Sequence, residues 1–442
     1  MTQRVVLDEI VNPFGARVLV ERGRDRGIVA ARFDLAGMPR VEHLLIGRPV
    51  EEIPGLVERL CGVCPAAHHL AGVRALEALD GPVKLPAAAE LARRMLHHAS
   101  ALATNAGRSI TTDREHGVAM RRLASATSAA VGSPGHFPVT AVPGGIAAPV
   151  RATALQPIRE QLPMVLDAAI RIAEREMAAV PPAARGALAF DGADVALADC
   201  EGRPDVFGAC LRAVSADGTV LVGSAPPEAW ESLVAEQNPG DPAPHPRLLV
   251  DGAGDGSYRV GPVAQLRVGR LTTPRAAELQ QRWGQTGATA AAARAVMAVH
   301  SIEAIGALVD RPELLGTELA EPRGTVAAGT EVDGSVGVGW VDGPRGLLVH
   351  RYQVGEDGRL TAAQILTPTA QNEPWLAVLL TAAARGMDGR GEPEVLAMEN
   401  AIRDVDPCLP CSMAPAGAMG LVIDEVPARQ SPGSGDVLAK EG

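Results

Sequence analysis

The sequence predicts an α+β fold, mainly helical, in which β hairpins surround a helical core. Two patterns carry this: several long segments repeat apolar residues at helical spacing, and three segments alternate apolar and polar residues across a turn. Composition agrees with it. The 442 residues are weighted to alanine and valine, with 48 glycines, 35 prolines and 2% aromatic residues, which suits closely packed helices joined by tight turns.

Taken in order, "ARVLVERGRDRGIVAARFDL" reads as a hairpin, with two alternating runs around a charged, glycine-containing turn. "AAHHLAGVRALEAL" and "LPAAAELARRMLHHASALATNAG" follow with helical spacing. A further helix is expected from Thr153 to Ala179, with Ile158, Leu162, Val165, Ala169 and Ile172 on one face, and another from Pro274 to Val309. Between them, "FGACLRAVSADGTVLVGS" turns at Asp217-Gly218 and "GLLVHRYQVGEDGRLTAAQIL" turns around Gly355 to Gly358, so both read as hairpins. Pro239 to Gly256 reads as a surface loop and "SPGSGDVLAKEG" as a disordered tail.

A formal charge of -11 argues against nucleic acid or an anionic membrane surface as partner, because a phosphate-binding face needs clustered Lys and Arg. The N-terminal "MTQRVVLDEIVNPFG" lacks a charged leader followed by an apolar core. No apolar run reads as approaching the ~20 residues that span a bilayer. Neither export nor direct membrane insertion is expected from the chain itself.

Six cysteines are too few for a disulfide scaffold in a chain of this size. Four form two pairs, Cys61-Gly-Val-Cys64 and Cys408-Leu-Pro-Cys411, and Cys200 and Cys210 are expected to be plain interior residues. A C-x-x-C turn brings two sulfurs together, and a position near a helix N-terminus favours the thiolate. Three chemistries fit: a structural zinc cage, a dithiol redox pair, and a thiolate site for a softer, redox-active metal. Zinc ribbons bring their pairs from neighbouring stretches, whereas nearly the whole chain separates these two. A thioredoxin-type dithiol needs a βαβ surround that the flanks lack.

The flanks carry a resemblance. Arg59-Leu60-Cys61-Gly62-Val63-Cys64 with His68, and Asp406-Pro407-Cys408-Leu409-Pro410-Cys411, resemble the N- and C-terminal signatures of nickel-iron hydrogenase large subunits. "FPVTAVPGG", "YRVGPVAQL" and "GPRGLLVH" lie between them in that family's order, and "GRPVEEIPGLVERLCGVCPAAHHLA" with "ENAIRDVDPCLPC" is most similar to the cytoplasmic bidirectional branch. The resemblance implies that Cys61 and Cys408 are terminal nickel ligands and that Cys64 and Cys411 bridge nickel to an iron bearing carbonyl and cyanide. It implies that Arg345 stands over the metals with Asp406 supporting it, that Pro344 and Leu348 wall the diatomic ligands, that Thr369 bonds a cyanide, and that His68 orients a bridging sulfur. His350 is expected to be structural. H2 is a weak acid, so a Lewis-acidic metal must polarise it while a base such as the Cys408 thiolate takes the proton.

The resemblance further implies a cytoplasmic heteromer in which an iron-sulfur small subunit, with diaphorase-like subunits beyond it, carries the electrons. Cys200 and Cys210 alone are too few to ligate a cluster of the usual kind. It divides the chain into a large-subunit domain, 1–414, and a tail, 415–442, matching the peptide removed during maturation. Four positions depart from the family: Pro13 stands where an acid passes the proton outward, Ala414 replaces a histidine, Phe137 takes a histidine's place with His136 beside it, and an aspartate is absent around His97 and His98. Asp8 or Glu9, just before Pro13, stands either as a replacement for the acid or, the commoner case, as a solvated surface charge. A magnesium site on Glu42 is not expected, because Ala414 offers it no ligand. Two alternatives stand beside the hydrogenase reading, a non-catalytic hydrogenase-like subunit of an electron-transfer complex and a structural zinc protein.

Overall fold

The computed structural model describes residues 16–25, 27–36, 41–79, 81, 83–179, 190–239, 241, 243–285, 289–320, 335–385, 392–409, 412 and 414–427. In chain order the elements are β1 (Arg17–Arg22), β2 (Ile28–Phe33), α1 (Ile53–Val57), α2 (Pro65–Ala78), α3 (Ala87–Thr112), α4 (Arg114–Ala130), β3 (Ala141–Val142), β4 (Gly145–Ile146) and α5 (Ala152–Ala178). Then come β5 (Ala193–Ala198), β6 (Cys210–Val214), β7 (Val220–Ala225), α6 (Trp230–Leu233), β8 (Val234–Glu236), β9 (Pro246–Leu248), β10 (Tyr258–Arg259), α7 (Pro262–Arg267), α8 (Pro274–Gln285) and α9 (Ala290–Val309). The chain continues through β11 (Ser335–Gly343), β12 (Gly346–Val354), β13 (Leu360–Leu366), α10 (Pro368–Gln371), α11 (Glu373–Arg385), α12 (Glu392–Val405) and β14 (Val422–Pro427). Asp8, Glu9, Pro13, Cys411 and the stretch 431–442 lie outside the described residues.

Two compact units divide the chain, 38–372 in one and 1–37 with 373–442 in the other. The larger unit layers helices against small sheets. Helix α3 packs on α4 and α9, and α5 packs on α4 and α9. The expected apolar face of α5 is present, with Ile158, Val165, Ala169 and Ile172 buried and Leu162 half-buried. Two sheets, ordered β10-β5-β6-β7 and β11-β12-β13, share an apolar core around Trp230, Tyr258, Trp340, Leu347 and Val349. The hairpins expected at Asp217-Gly218 and Gly355 to Gly358 are β6-β7 and β12-β13, both antiparallel.

Three expectations change. The stretch from Pro274 to Val309 is two helices, because Thr289 caps α9 by accepting the Ala292 amide at 3.1 Å. The loop from Pro239 to Gly256 contains β9, which pairs with β8. Helix α9 is itself twenty residues and apolar enough to cross a membrane by length and composition, contrary to the reading of the sequence. Its strongest window is 72% buried inside the protein, which marks it as a core helix.

A buried ion pair fixes the "FPVTAVPGG" stretch. Arg93 of α3 donates to both Glu77 carboxylate oxygens, at 3.0 and 2.7 Å, and to the carbonyls of Val142 and Gly145, while Glu77 accepts the Gly144 amide at 2.7 Å. The β3-β4 turn is thus tied to α2 and α3. Removing one partner of such a pair typically costs ~3–5 kcal/mol.

In the smaller unit the hairpin expected at the N-terminus is present as β1-β2, and β14 extends it in parallel with β1, from Arg17 opposite Val422 to Arg22 opposite Pro427. Helix α11 covers β2, where the Thr381 hydroxyl donates to the Ala31 carbonyl at 3.2 Å and accepts its amide at 2.9 Å.

Candidate metal centre

Cys64 ends the first cysteine turn as the cap of α2, with Pro65 in the first helical position, where its missing N–H costs nothing. The Sγ atoms of Cys61 and Cys64 are 3.0 Å apart, and a ring nitrogen of His68, one turn into α2, lies within 4.8 Å of both. Cys64 is buried and Cys61 half-buried. Two thiols and an imidazole at this spacing make a donor set for a soft metal.

The position of this cluster is set by how deeply α2 sinks onto β11 and β12. Ala67, Ala71 and Ala75, four residues apart, face β11 at Gly343, Gly339 and Gly337. A Cβ on Gly339 would meet the Ala75 nitrogen at 2.2 Å, and one on Gly337 would meet its oxygen at 2.0 Å. On the same helix a Cβ at Gly72 would stand 3.2 Å from the Tyr352 hydroxyl. Small residues on both partners let the helix backbone touch the sheet.

Beyond this contact the β11-β12 hairpin turns through Pro344 and Arg345, between the paired Gly343 and Gly346. Arg345 is 3% exposed. Four neighbours hold the turn: Asp342 accepts from the Gln265 amide group at 2.6 Å and from the Leu197 amide at 3.0 Å, its amide donates to the Val206 carbonyl, and its carbonyl meets His97 Nε2 at 3.1 Å. The "YRVGPVAQL" stretch lies against it, where a Cβ on Gly261 would come within 2.7 Å of the Arg345 carbonyl oxygen. Leu348 pairs with Val341 and is buried; Thr369 is buried in α10, whose Gln371 side chain donates to the Leu347 carbonyl at 2.6 Å.

Sequence reasoning gave His350 only a structural part, yet its Nε2 is 3.0 Å from His68 Nδ1 and its Nδ1 contacts the Tyr352 hydroxyl. The available signal was period-two spacing, which puts His350 and Tyr352 on one face of β12. Burial, with His68 next, pushes the His350 imidazole well below its ordinary value, and burial pushes Tyr352 well above its own. His69, alongside, is pushed down to about 4 by burial and accepts the Ala141 amide at 3.1 Å. Phe137, in a position where a histidine was expected, lies 5.0 Å under the Arg59 guanidinium.

In the other unit, the second cysteine stretch follows α12. Asp406, buried, takes a left-handed φ of 55° and accepts from the Ser412 hydroxyl at 3.0 Å. Ser412 also donates toward the carbonyls of Pro407 and Leu409, so it closes the loop carrying half-buried Cys408. Buried Glu399 accepts the amides of Gly417 and Met419 at 2.7 and 3.0 Å and the Arg403 guanidinium at 2.9 Å. Burial opposes its ionisation, but these donors keep it below the usual carboxylate range. Ala414 offers only its carbonyl, to Arg403, and half-buried Glu42 sits in a short 3-10 turn of the larger unit.

Cys200 departs from expectation. It is exposed, and its Sγ lies 3.5 Å from that of buried Cys210.

The fold brings two thiols and an imidazole together as a cluster that could hold a soft metal. Residues 40–105 match the family profile described as nickel-dependent hydrogenase. One component of the vhu F420-non-reducing hydrogenase of Methanococcus voltae is 28% identical over 385 residues, 78% of this chain and 89% of that protein. The NAD-reducing hydrogenase HoxS subunit beta of Cupriavidus necator is 25% identical over 488 residues, 96% of this chain and 97% of its own length. A crystal structure of an NAD+-reducing NiFe hydrogenase in the H2-reduced state superposes with a TM-score of 0.78 at 28% identity, over 89% of this chain and 97% of that one. In sequence and fold the chain is similar to the large subunits of nickel-dependent hydrogenases.

Proposed function

We propose that this chain is the catalytic large subunit of a cytoplasmic nickel-iron hydrogenase that splits H2 heterolytically or forms it from protons. The observation that carries the reading is the pair of thiols 3.0 Å apart at the foot of α2, with His68 beside them. This donor set fits one half of a thiolate-held nickel-iron group. Cys61 and Cys64, with Cys408 and Cys411, would hold that group. When bound, it supplies a Lewis acid that polarises H2 and makes it more acidic.

The chain's residues do the rest. With the group bound, Cys408 Sγ would be the base that accepts the proton, Arg345 would place a fixed positive charge beside the gas with Asp406 supporting it, and Pro344, Leu348 and Thr369 would line the place of the iron's small ligands. The buried hairpin turn around Arg345 keeps water from that guanidinium. Electrons leave through an iron-sulfur small subunit, then through diaphorase-like subunits. Residues 1–414 form the mature protein, and 415–442, which include β14, are the segment removed in maturation.

Cys61→Ser and Cys408→Ser are each expected to abolish H2-dependent dye reduction, because serine is a poor soft-metal ligand and a poor proton acceptor at neutral pH. Wild-type activity in both variants would overturn the reading.

A further inference from the structure

We propose that Tyr352, acting through His350, fixes the tautomer of His68, so that His68 presents an N–H rather than a lone pair to the sulfurs of Cys61 and Cys64. Three buried groups form the chain. The Tyr352 hydroxyl meets His350 Nδ1, and His350 Nε2 meets His68 Nδ1 at 3.0 Å. Each contact holds one proton, and a neutral imidazole donates from one nitrogen and accepts at the other.

The direction follows from the far end. The Tyr352 hydroxyl is fully buried, and among the described residues its hydrogen-bond partner is His350. A buried O–H with no acceptor is more costly than an unused lone pair. Tyr352 therefore donates to His350 Nδ1. His350 then carries its proton on Nε2 and donates to His68 Nδ1. With Nδ1 accepting, His68 carries its proton on Nε2, the nitrogen left for the sulfurs. The reverse assignment strands the phenol proton in the tight space beside Gly72.

Burial disfavours a charge on His350 and on Tyr352. Tyr352 and His350 are positioning residues: they act through His68. An N–H aimed at a thiolate withdraws electron density from the sulfur and orients its lone pairs. The tautomer assignment stands without any metal. Its effect on sulfur donation rests on the function proposed above.

The test is histidine-selective 15N NMR of the full chain, in which the ten histidines are assigned by single substitution. In the wild type, His68 and His350 should each appear as one neutral species protonated at Nε2. In Tyr352→Phe the constraint at the far end is gone, and His68 should become a mixture with a substantial Nδ1-protonated fraction, while thermal unfolding shows the variant folded. In nickel-loaded protein the same variant should shift the iron-carbonyl infrared band to lower frequency, as the sulfur becomes the stronger donor. A wild-type His68 protonated at Nδ1, or a His68 tautomer unchanged in folded Tyr352→Phe, would overturn the proposal. An Nε2-protonated His68 that responds to Tyr352→Phe in a chain that takes up no nickel would uphold the tautomer and sink the hydrogenase reading instead.

Discussion

A Cβ at Gly339 would stand 2.2 Å from the backbone nitrogen of Ala75, so β11 and α2 meet with no room for a side chain between them. This contact seats the helix that carries the cysteine turn. Gly339→Ala must push α2 off the sheet, and overpacking of this kind costs ~1–3 kcal/mol, the upper end being expected where the obstacle is backbone. Denaturant unfolding should show that loss. Gly284→Ala, at an exposed site in α8 with nothing within 4 Å, should be neutral or stabilising and serves as the control. Equal stability of the two variants would contradict the packing argument.

Stability should fall in acid through the buried histidines. Burial, ahead of neighbouring Arg74, holds His97 at about 4, and burial holds His300 at about 4, against an ordinary value near 6.5. The unfolded chain therefore binds more protons between these values, so the stability these groups contribute is complete above about 6.5 and lost as pH falls toward 4. Asp342, pushed up to about 7 by burial, acts in the opposite sense, losing stability as pH rises from about 4 to 7. His300→Gln should flatten the acid side of a melting-temperature profile. A profile as steep as wild type would show that His300 does not titrate this way.

The Cys200 and Cys210 thiols, 3.5 Å apart with Cys200 exposed, should close into a disulfide under diamide, which takes up the two hydrogens. Peptide mapping should find Cys200 linked to Cys210, and Cys200→Ser should abolish that link. Cys200 and Cys210 both still open to alkylation after treatment would refute the pairing.

The hairpins were legible because alternation and a glycine turn are local signals, and the cysteine turn because its ligands are close in sequence. Helices α4, α11 and α12 were passed over, and the break before α9 was missed although Thr289 is a capping residue type. His68 and His350 are 282 residues apart, and their contact exists only because glycines let α2 reach β12. Nothing local marks such a pair. The left-handed Asp406 with its Ser412 partner is likewise a product of the turn that follows α12.

The metal content of the chain decides its central chemistry. Nickel and iron should be measured in protein purified from its native host, together with infrared bands of metal-bound carbonyl and cyanide. One nickel and one iron per chain with those bands is the expected result; stoichiometric zinc with no nickel and no such bands would contradict it.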